Sequence, residues 1–146
     1  MADLGETPRG FLKHAQEFFC AADLVLNKAE DISLLVYFLL GRSIELSLKA
    51  FLLDRGISIT ELRSPKKFGH SLRALIKAAR EKGLDQHIAL EAIEDGVIQL
   101  LSYDYAEKRL EYRRTGGTYS LPLLDATWRV ARKLAFDLEA TLTEEQ

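Results

Sequence analysis

Apolar residues recur at intervals of three and four along almost the whole chain, and no stretch alternates apolar with polar for more than a few positions. That is the rhythm of helices packed on a core rather than of strands. Phe11, Ala15, Phe18, Ala22, Val25 and Ala29 make the first stripe, widened by Leu12, Phe19 and Leu26. Thr7-Pro8 starts this helix, because proline at the first helical position gives up an amide that has no helical partner there. Asp31 can cap a second helix reaching to about Asp54, with Gly56 as its terminator. This segment is apolar nearly all round, which predicts the most buried helix of the fold. Residues 57–70 read as a loop with room for one turn at Thr60–Arg63. A third helix begins near Gly69-His70-Ser71, carries Leu72, Leu75, Ile76 and Ala79, and stops at Gly83. A fourth runs from about Asp85 with Ile88, Ile93, Val97, Leu100 and Leu101, and continues or kinks through SYDYAEKRLEYRR before Gly116-Gly117. The last opens at Ser120-Leu-Pro122 or at Asp125 and turns Leu124, Trp128, Ala131, Leu134, Ala135 and Leu138 inward. The prediction is an all-α, up-and-down bundle of about five helices in one domain, residues 1–146.

The second helix carries a discordant element. Within GRSIELSLKAFLLDRG (41–56), Arg42, Glu45 and Lys49 interrupt the apolar run at spacings of three and four. At about 100° per residue, Leu34, Phe38 and Leu52 lie within roughly 20° of Glu45, so the carboxylate belongs to an apolar stripe. A buried carboxylate must find partners or be neutralised. Lys49 offers the favoured glutamate-to-lysine pairing one turn on, and Arg42 a second partner. Two readings follow: a structural ion pair at the bundle's rim, or a polar pocket held for a ligand. On the same helix Ser43, Ser47, Ala50 and Asp54 lie near one line, a mostly small face that another helix could approach closely.

Composition narrows the classes. A formal charge of −2 argues against gripping nucleic acid by bulk electrostatics, so any such contact needs a local basic patch. The single Cys20 excludes an intrachain disulfide and fits a reducing compartment; its apolar surroundings predict a small buried hydrophobe. The start, Met1–Pro8, lacks the features of a secretory signal, and the apolar run 32–40 is shorter than the ~18–20 residues of a membrane span. The expectation is a soluble, cytoplasmic protein that does not enter a membrane.

Four segments together resemble a known family. FLLGRSIELSLKAFLLDRG (38–56) is similar to the E-L-x-L-K-A-x-L second helix of the HEPN domain (higher eukaryote and prokaryote nucleotide-binding). FGHSLRALIKAAREKGL (68–84) is similar to the G-H-x-L start of its next helix, and FLKHAQEFFCAADLVL (11–26) to its first. LEYRRTGG (110–117) resembles an arginine-aromatic segment near its fourth. The resemblance implies a helical bundle that works as a homodimer and binds nucleotide or RNA, in a toxin-antitoxin or defence setting, beside a partner such as a nucleotidyltransferase. Many members resemble metal-independent ribonucleases that use an arginine and a histidine with four to six residues between them. Such a histidine can move a proton from the ribose 2′-hydroxyl while the arginine stabilises charge on the phosphate.

This chain departs from that pattern. No histidine follows His87, so Arg109, Arg113 and Arg114 lack a downstream partner. Arg9 with His14, Arg63 with His70 and Arg80 with His87 have the right spacing but the wrong place, and read as coincidence. No catalytic residue, cofactor or metal is therefore assigned; His87 and Glu91 alone are too few ligands. The candidate binding residues are Arg42, Glu45, Lys49, His70, Arg113 and Arg114. Glu45 and His70 would organise a polar notch, and the arginines would contact phosphate, with Tyr103, Tyr105 and Tyr112 near the late basic cluster. The alternatives are a helical interaction module without a ligand, and a ribonuclease with a non-standard site such as His70 as base.

Overall fold

The computed structural model describes residues 6–28, 33–106 and 121–143. Over these the regular structure is all helical, with no strand: α1 (Pro8–Lys28), α2 (Leu34–Asp54), α3 (Ile59–Arg63), α4 (Leu72–Glu81), α5 (Ala92–Ala106) and α6 (Leu124–Arg132). The all-α bundle expected from the periodicity is the fold observed.

α2 is the axis on which the rest is built, touching each of the other five helices. Leu40, Ile44, Leu48, Phe51 and Leu52 are all sealed from solvent, as a helix apolar on every side requires. α1 lies along it through Leu12, Ala15, Phe19 and Ala22. The core face of α1 is thus centred on Leu12 and Phe19, while Phe11 and Phe18 flank it half-buried. Cys20 is exposed, contrary to expectation, because its neighbour Phe19 takes the inward direction and the next residue turns about 100° away.

The small face of α2 is filled from within the chain. Ser43, Ser47 and Ala50 are fully buried, and the Ser43 hydroxyl donates to the Ala15 carbonyl of α1 at 2.7 Å. These residues admit α1 and offer no surface to a second copy. Ser47, one turn on, has a buried hydroxyl without a partner among the described residues.

Local signals account for most helix ends. Ser58 caps α3 and Ser71 caps α4, each accepting from the amide three residues ahead. Gly83 ends α4 with a φ of 91°, a left-handed turn that favours glycine. The expected cap of α2, Asp31, lies outside the described residues, and the N-cap position is Ser33, without a side-chain bond.

Two elements differ from expectation. The fourth predicted helix does not start at Asp85: Leu84–Gln86 form one 3-10 turn, and α5 begins only at Ala92. There the Glu94 carboxylate accepts the Glu91 amide at 2.8 Å, the glutamate half of a capping box. The inward face of α5 is Glu94, Val97, Ile98, Leu101, Ser102 and Tyr105, leaving Ile93 and Leu100 exposed. The last helix also changes winding, from α6 to a π turn at Lys133–Asp137 and a 3-10 turn at Leu138–Thr141. Gln16 of α1 donates to the Ala135 carbonyl within the π turn at 2.9 Å. None of the helices in the described residues is long and apolar enough to cross a membrane.

Candidate functional site

Glu45 points inward, as its direction on α2 requires, and its side chain has no exposed surface. The carboxylate is met from three parts of the chain. From α2 itself, Lys49 Nζ donates to Oε2 at 2.7 Å and Arg42 to Oε1 at 3.2 Å. From the segment before α4, His70 Nδ1 lies 3.0 Å from Oε2 and 3.2 Å from Oε1. From α5, the Tyr105 hydroxyl donates to Oε1 at 2.5 Å. An ionised carboxylate has about four acceptor positions, and here four side chains occupy them.

Burial on its own would push the Glu45 carboxyl up, but the Lys49 charge and hydrogen bond, with Tyr105 and Arg42, hold it below the usual carboxylate value. The Tyr105 phenol moves the other way, because burial and the adjacent anion both oppose its ionisation. Burial pulls Arg42 down, but the Glu45 charge together with Tyr105 and the hydrogen bonds to both more than restores it, so its guanidinium stays charged. The result is an anion, two cations and a neutral phenol in one network. Since Glu45 can only accept, His70 Nδ1 is the donor, leaving Nε2 as the ring's second functional atom.

This network is the floor and wall of a recess of about 250 Å³. Phe11, Leu46, Ile59 and Leu62 supply its apolar lining, and Arg63 joins Arg42, Lys49 and His70 on its polar side. Exposure is graded: the Lys49 side chain is 11% exposed, Arg42 33%, His70 47% and Arg63 65%. Lys49 is thus the deepest cation and Arg63 the outermost. Among the described residues Arg63 pairs with Glu6, also exposed, at 2.9 Å. Arg42 also lies over the Phe18 ring, 5.7 Å from its centroid, within cation–π range.

Of the sequence candidates, Arg42, Glu45, Lys49 and His70 therefore share one site, while Arg113 and Arg114 lie outside the described residues. Two members were not foreseen. Tyr105, grouped by sequence with the aromatics of the basic cluster, instead binds Glu45 from the core face of α5. Arg63, set aside with His70 as a chance spacing, lines the same recess as that histidine.

A second buried carboxylate escaped the sequence reading. Glu94 is sealed from solvent and accepts from Lys133 at 2.7 Å and Arg129 at 3.4 Å, besides capping α5. Its burial opposes ionisation, yet the Lys133 bond and the backbone amide hold its carboxyl low. Lys133 also donates to the Ala89 carbonyl, so this cluster pins the start of α5 to the π turn. The two acids have different work: one braces a cavity, the other a helix junction.

No protein-family model matches the chain, and neither a curated protein nor a solved structure matches it.

Proposed function

We propose that this chain binds a nucleotide or RNA through the recess above Glu45, as a HEPN-like bundle whose role is binding rather than catalysis. One observation carries the reading: a fully buried carboxylate organises Arg42, Lys49 and His70 around a recess that opens to solvent. A structural ion pair needs no cavity beside it. The two segments most similar to the family, 38–56 and 68–84, supply Glu45, Lys49 and His70, and their meeting around one carboxylate supports a shared purpose for those motifs. Arginine and lysine donors beside apolar walls suit a phosphate with an attached sugar.

Isothermal titration with mononucleotides and short RNAs tests the reading. Binding to wild type that weakens in Arg63→Ala is the expected result. Absence of heat with every nucleotide and RNA tried would exclude it.

A further inference from the structure

The charges lining the recess have a definite balance. Arg42, Lys49 and Arg63 are three fixed cations facing one carboxylate, Glu45, which leaves two positive charges in excess before His70 is counted. Tyr105, behind Glu45, is kept un-ionised by burial and by that anion, and adds nothing to the sum. Glu6 opposes Arg63 from the solvent side, in an exposed pair of the kind that contributes little and is easily exchanged. Glu45 itself is shielded from an incoming anion, because its oxygens already accept from four donors and none of its surface is exposed. Lys49 and Arg42 each give one hydrogen bond to Glu45, and both side chains carry further N–H groups that a ligand could engage.

Depth adds a second constraint. Lys49, at 11% exposure, can be reached only by the tip of a ligand, whereas Arg63 at 65% stands at the rim. A phosphate inside a nucleic-acid strand has a sugar on either side and one negative charge. A terminal phosphate has a free face and about −1.5 to −2 charges near neutral pH. At about 250 Å³ the recess is also smaller than the pockets that enclose whole drug-sized ligands, roughly 300–1,000 Å³.

We propose that the recess is a receptor for a terminal phosphomonoester of a nucleotide or RNA, discriminating against the phosphodiesters within a strand. This rests on the nucleotide- or RNA-binding reading and specifies its ligand. The terminal phosphate sits between Lys49 at the base, Arg42 on the side and Arg63 at the mouth. The attached ribose lies against the rim, where Phe11, Ile59 and Leu62 provide apolar wall.

The experiment compares one short RNA carrying a 5′-phosphate, a 3′-phosphate or hydroxyls at both ends, together with AMP and inorganic phosphate as competitors. The expected result is that a phosphorylated end binds roughly tenfold or more tighter than the hydroxyl form, the scale of one added charge-assisted hydrogen bond. AMP competing as well as the phosphorylated RNA assigns the site to free nucleotides, and a large advantage of the RNA assigns it to strand ends; either supports the receptor. Arg63→Ala should erase the preference while leaving the thermal midpoint unchanged, since its side chain is exposed and its ion pair with Glu6 is a solvent-exposed one. Equal affinity for phosphorylated and hydroxyl RNA overturns the end-receptor proposal but leaves RNA binding standing. A preference untouched by Arg63→Ala overturns its assignment to this recess. Failure of every probe to bind overturns both readings together.

Discussion

Tyr105 lies against the bare α-carbon of Gly41, so close that a β-carbon added there would stand 2.7 Å from the ring's Cδ1 and 2.9 Å from its Cε1. Gly41 sits one turn before Glu45 on α2, and its missing side chain is the space through which the phenol reaches the carboxylate. Phe38, three residues earlier, stacks on the same ring with centroids 6.2 Å apart. Gly41→Ala must therefore displace the Tyr105 ring or bend α2. The expected cost is roughly 1–3 kcal/mol, the range for overpacking a filled site, measured by urea unfolding. In a Tyr105→Phe background the additional cost of Gly41→Ala should be smaller, because the hydroxyl bond to Glu45 is already gone. Strict additivity in this double-mutant cycle would separate the glycine from the carboxylate.

Removing the carboxylate itself is the harsher change. Glu45→Ala leaves Lys49, almost wholly covered, beside Arg42 without their common anion. Breaking a buried ion pair on one side costs roughly 3–5 kcal/mol, so this variant should be among the least stable single substitutions in α2. Chemical denaturation with an unchanged slope and a loss below about 1 kcal/mol would show the network to be dispensable.

Acid should act through the same group. The folded chain holds Glu45 below its ordinary value, so folding favours the ionised form. The stability this contributes is complete above the unfolded carboxylate value of about 4.3 and disappears as pH falls through the lower folded value. Glu94 is lowered too and adds in the same direction. Urea midpoints should hold steady from about pH 7 to pH 5 and fall steeply below about pH 4. Glu45→Gln, which cannot ionise, should show a shallower fall; an identical profile in both proteins would remove Glu45 from the account.

The two serines of the small α2 face should respond with opposite signs. Ser43 gives its hydroxyl to the Ala15 carbonyl, so Ser43→Ala should cost roughly 1 kcal/mol. Ser47 carries a buried hydroxyl that meets no partner among the described residues, and Ser47→Ala should stabilise by a similar amount, about 1 kcal/mol. Differential scanning calorimetry on the two variants decides the matter, since equal losses would mean that the Ser47 hydroxyl is bonded in solution.

How far the sequence reveals this site depends on what each residue's neighbours disclose. Glu45 was legible because it shares a helical direction with Leu34, Phe38 and Leu52, and a charge in such company must turn inward. His70 was legible as a donor near the start of α4. Tyr105 was not recognised because Glu94 and Ser102 break the apolar face of α5, and the eye follows Ile93 and Leu100, which are exposed. Glu94 is hidden for a related reason: the residue that it caps is Glu91, not the serine or threonine that marks a capping box. Its position three and seven residues before Val97 and Leu101 was the available signal. Arg63 belongs to a short helix in a stretch read mainly as loop, and only folding carries it to the mouth of a cavity built on α2.

The partners of Glu45 reach it over very different distances along the chain. Arg42 and Lys49 are three and four residues away, whereas His70 and Tyr105 are 25 and 60 away. During folding, the near pair can screen the anion as soon as α2 coils, on the sub-microsecond to microsecond scale of helix formation. The far pair arrives only when α4 and α5 dock, and only then does water leave the carboxylate. An isolated α2 peptide should therefore keep its acid hydrated and ordinarily titrating, and the dry, four-donor environment belongs to the assembled bundle alone.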